Sequence, residues 1–92
     1  MTLHPDSAVS TALEEVVEAY RLGMEGQASS HLVKLIDLLT PVLAKATSEQ
    51  ALRINPLLVN AISAIEHKDY LYTADMFEYE IAPLLLSMNH RL

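Results

Sequence analysis

The sequence predicts an all-α protein: an up-down-up-down antiparallel four-helix bundle with proline-kinked helices. Three observations carry this. Apolar residues recur at helical spacing along the chain, and no stretch alternates as a half-buried strand would. The four periodic segments match in length, at roughly 18–21 residues or about 30 Å each. The stretches between them are only a few residues long, which forces successive helices to run antiparallel. With 92 residues, 51% of them hydrophobic, residues 1–92 are expected to form a single domain around one core.

Each element has its own signals. Asp6 or Ser7 can cap the first helix, whose stripe is Val9, Leu13, Val16, Tyr20 and Met24, with Glu14, Glu18, Arg21 and Glu25 opposite. Gly23 and Gly26 mark its end. The second helix restarts near Ala28 and turns Leu32, Leu35, Leu39, Val42 and Ala46 inward, with Ile36 and Leu43 widening the stripe. Thr47 or Ser48 caps the third. There Ala51, Ile54, Leu58, Ala61 and Ile65 keep one phase across Pro56, which favours one kinked helix over two. His67 and Lys68 suit the negative end of its dipole. Asp69 caps the fourth helix, with Tyr70, Ala74, Phe77, Ile81, Leu84 and Met88 as its core stripe. Pro41 and Pro83 lie inside helices, where each removes a donor and crowds the carbonyl four residues back, that of Asp37 or Tyr79. An offset of 42 pairs these two prolines and also the turns "EGQ" and "HKD", a weak internal echo of two similar hairpins.

Composition narrows function. Twelve acids against six bases give a net charge of −6, and Arg21, Lys34, Lys45, Arg53, Lys68 and Arg91 form no stripe. Nucleic-acid binding, which needs clustered cations, is not expected. An acidic mimic of nucleic acid ranks last, because the carboxylates are spread over the first and last helices. With no cysteine, the chain offers no disulfide framework, zinc knuckle or thiol nucleophile. "MTLHPDSAVS" lacks the basic and apolar regions of a signal peptide, and no apolar run approaches the ~20 residues of a membrane span. A cytoplasmic protein with no membrane association is expected.

The stretch "HKDYLYTADMFEYEIAPLLL" holds three of the four tyrosines and the only phenylalanine. Asp75 and Glu78, three apart, share a helix face beside Tyr72 and Tyr79, with Glu80 close by. Such a cluster can act as acid and base or hold a metal. The structural reading is favoured: carboxylates flanking the core and bonding tyrosine hydroxyls or a basic neighbour. No acid is followed three residues later by histidine, as bundle di-metal sites require. His4, His31, His67 and His90 form no ligand pair, and neither a G-x-S-x-G elbow nor a phosphate-cradling glycine loop is present. No cofactor, metal or catalytic residue is assigned, and enzymatic activity has no positive support.

Asp69-Tyr70, Ala74-Asp75, Glu78-Tyr79-Glu80 and Pro83-Leu84-Leu85 follow one another within Ala64 to Leu85. This order resembles the C-terminal signature of a family of small, uncharacterised helical bacterial proteins, over about a quarter of the chain. The resemblance implies an all-helical fold and no established activity, and it directs attention to Asp75, Glu78, Tyr79 and Glu80.

Beyond its core stripe the fourth helix also carries Leu71 and Leu85, and it is apolar nearly all round. In a bundle of four no helix is central, so its outer face calls for a partner. Tyr72, Met76, Tyr79 and Leu86 are expected to line one partner-binding seam. The function read from the sequence is a small acidic protein-interaction module, a homodimer or a binder of one partner helix or chain end. The alternative is a metal- or small-ligand-binding bundle using the carboxylates and tyrosines of the last helix.

Overall fold

Four helices account for most of the chain in the computed structural model, which describes the backbone of residues 5–90 and the side chains of 8–88. They are α1 (Pro5–Arg21), α2 (Glu25–Ala44), α3 (Ser48–Glu66) and α4 (70–90). No strand occurs among the described residues. His4 and the side chain of His90 lie outside them.

The helix ends follow local chemistry. Gly23, at φ 69, terminates α1: Met24 N–H reaches the Ala19 carbonyl at 2.9 Å and Gly23 N–H reaches that of Tyr20 at 3.1 Å. This paired closure needs a left-handed residue, which glycine supplies without steric cost. The turn therefore ends earlier than the two glycines imply. Gly26 already lies in the first turn of α2, and Met24, expected in the core, is exposed. α1 is helical from Pro5, the first described residue, so Asp6 and Ser7 lie inside it. Thr47 caps α3 in a reciprocal box with Gln50, at 3.1 and 2.9 Å. α3 then runs without interruption through Pro56. At its end Lys68, at φ 59, repeats the α1 closure, with Asp69 N–H on the Ala64 carbonyl and Lys68 N–H on that of Ile65. The two equivalent turns are 45 residues apart, Gly23 to Lys68, and not at the offset of 42. The His67 ring donates from Nδ1 to the Ser63 carbonyl at 2.7 Å.

Asp69 caps α4, accepting from Tyr72 N–H at 3.3 Å, while its carbonyl accepts from the hydroxyl of the fully buried Thr73 at 2.8 Å. α4 has three segments: α-helical Tyr70–Asp75, a π-helical turn Met76–Ile81, and α-helical Ala82–His90. At the junction Ala82 N–H bonds the Phe77 carbonyl, five residues back. Pro83 follows directly. Its missing N–H and its ring make a tight α-turn unfavourable there, and the wider turn relieves that crowding.

α1 packs along α2 on one side and along all of α4 on the other, whereas α3 packs chiefly on α4. One core joins them, with Leu13, Val16, Leu35, Ile54, Phe77 and Ile81 among its buried side chains. Three further positions differ from the sequence stripes. Ile36 is 53% exposed, because α2 leans chiefly on α1. In α4, Leu85 is fully buried where Leu84 was expected, and Met76 is only 5% exposed. Residues in a π turn advance by less than the ~100° of an α-helix, so the phase of α4 changes across Met76–Ile81.

Candidate functional site

The carboxylates of α4 are joined to α1 by Arg21, the last residue of that helix. Arg21 Nη2 donates to Asp75 Oδ1 at 2.9 Å and to Glu78 Oε1 at 2.6 Å. These bonds, to Glu78 first and Asp75 second, raise the Arg21 pKa above its ordinary value against a small opposing effect of burial. Side-chain exposures of 35%, 54% and 43% leave the trio in contact with water, so its contribution to stability is screened. Chemically it is an anchored, charge-compensated cluster. Glu80 is exposed and does not share it.

The same ends of α1 and α4 meet through Tyr20 and Tyr70, whose ring centroids are 5.6 Å apart at 33°. Burial, then the Glu25 charge, raises the Tyr20 pKa. Hydrogen bonding toward the Glu25 carboxylate, then burial, raises that of Tyr70.

Grooves flank α4 on both sides. The one against α3 has a volume of about 390 Å³, with Leu57 and Met76 in its lining and Tyr72 and Tyr79 beside them. Those tyrosines are 46% and 63% exposed. Asp75, Glu80 and Asn60 supply its polar lining. The groove against α1 is larger, about 530 Å³, and its apolar residues are Leu13, Val17, Leu22, Ala82 and Leu86. Glu14, Glu18, Glu78 and Arg21 also line it.

Tyr72, Met76, Tyr79 and Leu86 therefore do not form a single seam. The first three line the α3 groove, with Met76 buried at its base, and Leu86 lines the α1 groove. The reason is the π turn, which rotates the residues after Ile81 relative to those before Met76. Asp75 and Glu78 do share one cation, as their spacing allows. Arg21 itself escaped notice because its partners are 54 and 57 residues away. The available signal was its isolation: it is the only Lys or Arg in α1, and α4 has none.

Among the described residues no three His, Asp or Glu side chains are placed to hold a metal ion. His31 lies half-buried, with Nδ1 3.8 Å from Glu15 Oε1.

No curated protein and no solved structure matches the chain. A family match does exist, and it extends over residues 7–91, well beyond the Ala64–Leu85 stretch that carried the resemblance. The chain thus belongs to a family described as a domain of unknown function, DUF8042.

Proposed function

We infer that this protein is a cytoplasmic protein-interaction module that self-associates through the groove between α3 and α4. One observation carries the reading: two exposed tyrosines, Tyr72 and Tyr79, stand beside an apolar groove based on Met76 and Leu57. Aromatic residues and methionine are enriched at interface centres, where a rigid ring covers apolar area at little entropic cost. A second copy is the default occupant, because a two-fold axis lets one groove satisfy both partners. The reading includes a single up-down-up-down antiparallel bundle with kinks at its prolines, and the bacterial origin implied by the C-terminal signature. No helix among the described residues is long and apolar enough to cross a membrane.

The alternative, a metal or small ligand held by Asp75, Glu78 and the tyrosines, ranks second because Arg21 already compensates both carboxylates. Light scattering after size exclusion at micromolar concentration tests the first reading. A dimer is expected for the native chain and a monomer for Tyr79→Glu, with helical content unchanged. A native monomer at all concentrations would defeat self-association.

A further inference from the structure

The larger groove, between α1 and α4, sets carboxylates around an apolar floor. α1 carries Asp6, Glu14, Glu15 and Glu18 against Arg21, a balance of −3, and α4 carries Asp75, Glu78 and Glu80, also −3. Together they account for the whole net charge of −6, so the rest of the chain is balanced. Of these charges Glu14, Glu18, Glu78 and Arg21 line the groove itself, whereas Glu15 lies beside His31 of α2 and Asp75 and Glu80 line the groove against α3. The one cation in the groove, Arg21, is already engaged by Asp75 and Glu78. Glu14, Glu18 and Glu78 against Arg21 leave −2 around an apolar floor.

We propose that the α1–α4 groove is the docking site for a basic amphipathic helix of another protein. The groove runs from Ser10 to Leu22, about 18 Å at ~1.5 Å per residue, and lies between two packed helices. A third helix seats its apolar stripe along such a furrow. An extended segment would find no sheet edge there to satisfy its backbone. Leu13, Val17, Ala82 and Leu86 receive the apolar stripe, and Glu14 and Glu18 meet flanking Lys or Arg side chains. A second copy of this chain cannot be the occupant. α1, α2 and α3 contain one Lys or Arg each, Arg21, Lys34 and Arg53, and α4 contains none. No helix of the chain has the cationic flank that the rim requires, and two copies of this face repel each other. The site is separate from the α3–α4 groove.

The test uses the full chain and a fluorescently labelled designed peptide of about four helical turns, with leucines at i, i+3, i+4 and i+7 and lysines on their flanks. Two controls replace the lysines by glutamates or scramble the apolar spacing. Anisotropy should report saturable binding of the lysine peptide alone, weakening as salt rises. The double variant Glu14→Lys/Glu18→Lys, at exposed positions, should weaken it by about tenfold or more. Glu49→Lys/Glu66→Lys, an equal change of charge on α3, should leave affinity within about twofold. Tyr79→Glu should also leave it unchanged, which separates this result from the outcome of the dimer experiment. Equal binding of the scrambled peptide, equal losses in the two charge-reversal variants, or no binding of the lysine peptide would each overturn the proposal.

Discussion

Lys68 occupies, after α3, the backbone position that Gly23 occupies after α1. Both lie in the left-handed region, at φ 59 and 69, and both close their helix with the same pair of bonds. For lysine this conformation brings Cβ against the following carbonyl, a strain that glycine lacks. Lys68→Gly should therefore stabilise the protein by about 0.5–1 kcal/mol, after the greater freedom of glycine in the unfolded chain is subtracted. Gly23→Ala should do the opposite by about 1 kcal/mol, since an added Cβ at Gly23 meets nothing within 4 Å and only backbone strain remains. Thermal midpoints shifted in opposite directions, by about 2–8 °C upward for Lys68→Gly and about 4–8 °C downward for Gly23→Ala, would be the signature.

Phe77 is 3% exposed and sits in the shared core within the π turn. Truncation to alanine should cost about 3–5 kcal/mol, the range for a buried aromatic. Against a total of about 5–15 kcal/mol this brings the domain close to unfolding. Urea denaturation followed by circular dichroism measures it, and a midpoint near that of the native chain would contradict the packing described.

Asp75→Asn should lower the thermal midpoint only slightly, because Glu78 still holds Arg21 and the trio is partly in water. In an Arg21→Gln background the same change should have no further effect. A double-mutant cycle reads that coupling. An Asp75→Asn variant of native stability that no longer dimerises or binds the peptide would instead make the carboxylate part of a binding site.

The tyrosine pair predicts alkaline behaviour. Both pKa values are raised above the ordinary 10.0, so the folded state holds these protons more tightly than the unfolded chain does. The stability this contributes is complete below about pH 10 and is lost as pH rises through the folded values. The denaturation midpoint of the native chain should fall above that pH more steeply than that of Tyr70→Phe. Glu25→Gln should bring the Tyr70 titration, followed by tyrosinate absorbance, down toward its ordinary value.

The helices themselves were legible because their signals are local. The stripe of Val9, Leu13, Val16 and Tyr20, the cap at Asp69 and the continuity through Pro56 each depend on residues a few positions apart. The phase of the last helix was not, since the effect of Pro83 is a wider turn beginning at Met76, and spacing rules assume a constant period. That one deviation buries Met76 and puts Leu86 in a different groove from Tyr79. The exposure of Ile36 depends on which helices become neighbours, and so does the choice of Arg21 as partner to Asp75. Amphipathic pattern alone leaves both undetermined.

The packing order has a consequence for how the chain assembles. Its most connected helices, α1 and α4, are the first and last described, while α2 and α3 each lean chiefly on one of them. The contacts that unite the molecule, such as Arg21 with Asp75 at a separation of 54 residues, therefore close a loop containing both peripheral helices. Until residues 70–90 are available, α1 lacks one flank and α3 lacks its main support. The hairpin of α1 and α2 can form early, but the cooperative step must await α4 and overcome the entropy of that closure. In the finished fold the order reverses. Amide protons of α2 and α3 should exchange through local openings, and those lining the α1–α4 contact should exchange last.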